Sequence, residues 1–319
     1  MKTMEWGWLI VVYLFLGGLS AGLYFVAALA TLRHKSDDAG VDRIAQYGMW
    51  LAPWPVMVGC LLLVFDLGKW YRFYKLFMHL EWTSPMSIGA WLLLIFSGVA
   101  LASFYAWLPA SAREKIFTKL PGRLHFLRVL DRDLAAWRRP LAIAGLPVAI
   151  GVGIYTGVLL GAVQSRPFWN TNLVAQLFLF SALSTGCAAL ILLLALGRSA
   201  PQPAEIRFLY TLDIALLTLE FFIVLPYVIH GQLSVQAVRE SMALILGGPF
   251  TVMFWGMFMT AGLLAPLGIE IRETLPAVLS HRPVHVRAWL AAATAVLVLC
   301  GGLLLRYVFV FAGQMSAIR

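Results

Sequence analysis

The chain has 319 residues, 61% of them hydrophobic and 12% charged, with a mean hydropathy of +0.85. Soluble domains carry about 25% charged residues, so the composition excludes a soluble fold and fits an all-α integral membrane protein. The net charge of +9 on so apolar a chain points to membrane topology and anionic lipid contact, and excludes nucleic acid as a partner.

Eight apolar runs are long enough to cross a hydrocarbon core as helices. They cover residues 6–32, 46–67, 86–109, 140–163, 168–196, 208–229, 244–268 and 288–312. The first has only Lys2 ahead of it and no small-residue cleavage pattern before Arg33, so it reads as a mature helix rather than a signal peptide. Within it, YLFLGGLSAG (13–22) aligns without gaps on LFLFSALSTG (177–186) of the fifth run, pairing Ser20 with Ser184 and Gly22 with Gly186. Two readings fit this match. One is a pair of four-helix bundles related as a parallel repeat, an architecture known in membrane proteins. The other is two independent small-residue packing faces. The repeat reading divides the chain into 1–139 (helices 1 to 3 and a basic loop), 140–163 (helix 4, completing the first bundle) and 164–319 (helices 5 to 8).

The second run ends at Asp66, and the loop after it carries Lys69, Arg72 and Lys75 among Trp70, Tyr71, Phe73, Tyr74, Phe77 and Trp82. Such aromatic and basic mixing suits an interfacial helix or a docking surface for a partner protein. The loop from Ser111 to Arg139 is the most basic segment and reads as a topology anchor. Cytoplasmic loops accumulate Lys and Arg. Sixteen of the 24 fall in the loops after helices 1, 3, 5 and 7, seven fall on the other side, and Arg306 lies inside helix 8. Both termini are therefore expected outside, in the periplasm of a bacterial inner membrane.

Ionisable residues at membrane depth are costly and are functional candidates by default. Asp213 and Glu220 lie seven residues apart in helix 6, on nearly one face and about 10 Å apart along the axis. They read as two stations of a proton route entering from the cytoplasm, or as carboxyls hydrogen-bonded between helices. Arg306 lies roughly 27 Å from the cytoplasmic start of helix 8, at a depth that would allow an ion pair with Asp66. The six histidines, His34, His79, His125, His230, His281 and His285, all fall in loops or at helix ends, where paired axial haem ligation is not expected. Cys60, Cys187 and Cys300 are isolated in separate helices and read as apolar core residues, with neither an iron–sulfur cluster nor a disulfide. No metal site is expected. No phosphate-cradling glycine loop with a neighbouring lysine appears.

Four segments in order carry a family resemblance: YLFLGGLSAGLYF, LVFDLGKWYRFYKLFMHLEWTSPMSIGAW, IYTGVLLGAVQSRPFWN running into LFLFSALSTG, and LLRYVFVFAGQ. They resemble the family of the polysulfide reductase membrane subunit and the NrfD protein of formate-dependent nitrite reduction. The resemblance implies an eight-helix subunit without haem that binds a quinone, menaquinone or ubiquinone, near the outer face. It implies a ferredoxin-like, four-cluster iron–sulfur subunit as partner, and a catalytic subunit that is often molybdopterin-dependent. The family's quinone pocket lies among the outer ends of the first four helices. That points to Glu5, Asp66, Lys69, Ser87 and Tyr155, with Tyr13 among the polar groups at the same level. Tyr155 lies in the family-like YTG and Ser87 in PMS. The proton-route candidates are Asp213, Glu220 and Arg306, and the docking candidates are Arg72, Lys75 and Trp82. Two other readings stay open: a secondary transporter using the buried carboxylates, and a structural anchor without quinone.

Overall fold

The computed structural model describes residues 6–33, 39–66, 78, 81–109, 111–112, 134–197, 201–280 and 286–316. Every membrane-length element is helical. In lipid no water is present to pair a backbone N–H or C=O, so a crossing segment must satisfy its own. Eight helical spans have the length and hydropathy to cross a membrane, and among the described residues there is no strand.

The helices are α1 (Trp8–Arg33), α2 (Ala39–Leu51), α3 (Pro53–Asp66), α4 (Pro85–Ala106), α5 (Arg138–Gly161), α6 (Leu173–Leu196), α7 (Pro203–Leu233), the short α8 (Gln236–Met242), a π-helical stretch (Val252–Leu264) continuous with α9 (Ala265–Leu279), and α10 (Ala288–Met315). Helix α1 sits at the centre, packed against α2, α3, α5, α6 and α10. Helix α6 is its counterpart, packed against α1, α5, α7 and α10.

The α1–α6 crossing explains the glycines of the opening motif. A Cβ on Gly22 would stand 2.0 Å from the Ala182 carbonyl oxygen, and one on Gly186 would stand 2.1 Å from the Gly22 carbonyl carbon. The aligned glycines of the two similar motifs thus meet each other. Without a hydrophobic drive between helices in lipid, such backbone approach supplies the packing contact.

The second span is one crossing made of two helices. Helix α2 closes on Ala52, whose N–H still reaches the Gly48 carbonyl at 2.9 Å, and α3 restarts at Pro53. Proline has no N–H to satisfy and suits a first helical turn. The Ala52 carbonyl, at the junction of the two helices, accepts a hydrogen bond from the Ser20 hydroxyl. Ser20 thus ties α1 to the junction of α2 and α3.

The seventh span differs most from the sequence reading. It runs from Val252 to Pro276, about two helical turns later than residues 244–268. Gly247 takes a positive φ of 123° and its N–H donates to Thr251 Oγ1 at 2.7 Å, so the Gly247-Gly248-Pro249 segment forms turns before the helix starts. The π-helical stretch packs through Gly262 onto Gly301 of α10, where a Cβ on Gly262 would stand 2.5 Å from the Gly301 Cα. Its Thr260 hydroxyl donates to the Trp255 carbonyl five residues back, at 2.8 Å. The fifth span also begins later than expected, at Leu173, because Pro167–Asn172 form turns.

Candidate functional site

Two polar centres lie inside the helices. The first joins α1, α3, α4 and α5 at the end where α1 begins and α5 finishes. Tyr13 and Tyr155 are buried, at 1% and 7% exposure, and their side chains face each other. The Tyr155 ring lies over Gly89 of α4, where a Cβ would stand 1.8 Å from Tyr155 Cζ. Gly59 of α3 gives Tyr13 similar room, with an added Cβ 3.5 Å from Tyr13 Cδ2. The Tyr155 hydroxyl is the polar group beside the Tyr13 hydroxyl, and among the described residues no other group hydrogen-bonds to it.

Ser87 is buried in the first turn of α4, two residues before Gly89. Its hydroxyl accepts the Glu81 N–H at 3.0 Å, and its own N–H reaches Ser84 Oγ at 3.4 Å, so Ser87 shapes the entry to α4. Asp66 ends α3, but its side chain lies outside the described residues, as do Glu5, Lys69, Arg72 and Lys75. Trp82 is described and is 77% exposed.

The second centre joins α6, α7, α9 and α10. Arg306 is fully buried. It donates through Nη1 to Ser181 Oγ at 2.6 Å and to the Gly302 carbonyl at 2.8 Å, and through Nη2 to the Phe178 carbonyl at 3.3 Å. Its guanidinium also lies over the Phe178 ring, 5.2 Å from the centroid. Gly18 of α1 leaves the space beside it, since a Cβ there would come within 3.2 Å of Nη2. Glu220, 2% exposed, faces both Arg306 and Ser181. The sequence-predicted Glu220 and Arg306 are therefore brought together, with Ser181 between them. The notional partner Asp66 carries a side chain outside the described residues.

Asp213 lies on the same helix face as Glu220, fully buried. It meets Glu270 of α9, a residue the sequence reading missed. Ending the seventh span at 268 left Glu270 in a loop; the later start of that span brings it into the membrane-length helix. Ser181 was also missed, although it aligns with Gly17 in the paired motifs and is a polar residue in an apolar run. Cys60, Cys187 and Cys300 are all free, but only Cys187 is buried. Cys300 instead lines an apolar groove of about 470 Å³ with Phe15, Leu19, Leu192 and Leu303, so the expectation of a core position fails there. Its helix face is turned outward between α6 and α10.

The model of the family described as "Polysulphide reductase, NrfD" matches residues 1–317. The chain belongs to the polysulphide reductase NrfD family. It is 31% identical to Protein NrfD of Escherichia coli strain K12, over 99% of this chain and 96% of that protein. It is 32% identical to a polysulfide reductase chain of Wolinella succinogenes, over 98% and 95%. A selenate reductase subunit of Mesobacillus selenatarsenatis is 28% identical over 79% of this chain and 63% of that protein.

Two of the NrfD-like segments meet in space. Trp169, from the RPFWN segment, donates from Nε1 to the Phe309 carbonyl at 2.6 Å and stacks on Trp6 at 5.1 Å. Its ring occupies the space over Gly313, where a Cβ would stand 1.8 Å from Nε1. Gln314 exchanges hydrogen bonds with the Trp6 backbone, at 2.8 and 2.9 Å, and the Arg166 guanidinium donates to the Gln314 carbonyl. These residues fasten the start of α1 to the end of α10, close to the tyrosine end of the molecule.

Proposed function

We propose that this chain is the quinone-reactive membrane subunit of a respiratory reductase complex in a bacterial inner membrane. It would exchange electrons between menaquinol or ubiquinol and a ferredoxin-like, four-cluster iron–sulfur subunit, which serves a catalytic subunit dependent on molybdopterin. Membership of the NrfD family and the reductase-subunit names of its relatives support the complex.

The observation that carries the quinone reading is Tyr13. A hydroxyl buried among apolar side chains, with only the Tyr155 hydroxyl beside it over Gly89, suits a site where a substrate carbonyl or hydroxyl joins the pair. A quinone supplies two-electron, two-proton chemistry. Tyr13 and Tyr155 would orient its head, and Asp66, Glu5, Lys69 and Ser87 lie on the same side of the sequence-read topology. The groove at Cys300 offers only apolar walls and gives a ring no such partner. The docking surface would be the loop of Arg72, Lys75 and Trp82, with both termini on the same, periplasmic side. Asp213, Glu220 and Arg306 would connect this chemistry to protons from the cytoplasm.

Tyr155→Phe tests the site, because it keeps the ring over Gly89 and removes only the hydroxyl. Loss of one hydrogen bond to a substrate in a dry site corresponds to about tenfold or more in rate. Quinol-dependent reduction of the partner's clusters should fall by that factor while an artificial donor to the clusters still works. Equal rates for Tyr155→Phe, Tyr13→Phe and the natural protein would remove the assignment.

A further inference from the structure

Asp213 of α7 and Glu270 of α9 have no exposed surface, and their carboxyl groups lie within hydrogen-bonding reach of one another. No N–H or O–H donor reaches any of their four oxygens. An ionised carboxylate only accepts hydrogen bonds. Two of them in contact, away from water, repel each other with neither hydration nor a donor to offset the repulsion. Such contact is stable only when something positive lies between the two groups.

The surroundings do not supply it. Among the described residues, the ionisable groups that face the pair are Cys187 from α6 and Tyr210 and Glu220 from α7, while Glu273 from α9 faces Tyr210. On α10, the Thr294 hydroxyl lies beside Tyr210. None of these is a cation. Tyr210, three residues before Asp213, and Thr274, four after Glu270, place two further buried hydroxyls on the same helix faces; Tyr210 has the Thr294 hydroxyl beside it, and Thr274 has no partner among the described residues. Arg306, the buried cation of this half, is engaged with Ser181 and two carbonyls beside Glu220.

We propose that Asp213 and Glu270 hold one proton in common, as a two-carboxyl proton-binding site at the cytoplasmic end of the proton route. The acid O–H of one group donates to the carboxylate of the other, so the pair carries a single negative charge. A second proton arriving from the cytoplasm would neutralise the pair and release one proton toward Glu220. The station role rests on the route proposed above; the shared proton does not.

The test is infrared spectroscopy on the purified complex, in H2O and in D2O. The natural protein should show a protonated-carboxyl C=O stretch that shifts in D2O. Both Asp213→Asn and Glu270→Gln should abolish the same band, because the introduced amide donates to the remaining carboxylate. No such band in the natural protein overturns the shared proton, even if a variant fails to fold. So does a band lost in only one variant, or about one alkali cation per chain by elemental analysis. During quinol turnover in vesicles, each variant should take up at least tenfold fewer protons from the cytoplasmic side, and an unchanged yield overturns the station role. A complex inactive with quinol but retaining the band removes the quinone reading and supports the shared proton.

Discussion

Arg306 shows how much of the interior chemistry depends on single side chains. Its guanidinium donates to three oxygens while buried completely, and Glu220 faces it. Arg306→Met keeps much of the volume but leaves Glu220 without its cation and Ser181 and the Phe178 carbonyl without their donor. Removing one partner of a buried charged pair costs about 3–5 kcal/mol. The variant should unfold at a clearly lower temperature in detergent, and an unchanged midpoint would show that the network contributes nothing to stability. The sequence made Arg306, Glu220 and Asp213 visible because a charge in an apolar run stands out at once. It could not show Ser181 as the bridge, since serines are common in membrane helices, nor Glu270, whose place depended on a helix boundary.

That boundary belongs to the scale of elements. Apolar runs give the existence of a span, but Leu244, Ile245 and Leu246 are as apolar as any helix, and the turns through Gly247, with its positive φ, Gly248 and Pro249 separate them from the π-helical stretch. The break in the second span was hidden for the converse reason: Pro53 starts α3 without interrupting the hydropathy of the crossing. Glycine contacts are the testable content here. Gly22→Val places a side chain against the Ala182 carbonyl, 2.0 Å from the Cβ position. It should force α1 and α6 apart, at about 1–3 kcal/mol or more. Gly98→Ala on α4, with nothing within 4 Å of the added Cβ, should match or exceed the natural stability, since alanine favours a helix by about 1 kcal/mol over glycine. Equal thermal midpoints for the two variants would contradict the close-packed crossing.

At the scale of the whole molecule, the eight crossings and the family were legible in composition, span count and four ordered motifs, and both hold. The match between the motifs at 13–22 and 177–186 was legible only as an alignment. The structure adds that the aligned Gly22 and Gly186 touch, which places the two motifs against each other where α1 crosses α6. The outward surface offers exposed Trp82 on the loop read as a docking site. If an iron–sulfur subunit binds there, Trp82→Ala should lower its recovery with this chain several-fold without changing the level of the chain in the membrane. Full recovery would move the docking surface elsewhere.

Mild solubilisation of the native complex, followed by quinone extraction, a visible spectrum and identification of the co-purifying subunits, reads the quinone and its electron partner together. The account predicts near one quinone per chain, iron–sulfur absorption from a partner, and loss of the quinone in the Tyr13→Phe, Tyr155→Phe double variant. A solitary chain without quinone, or a quinone retained undiminished by that variant, would contradict it.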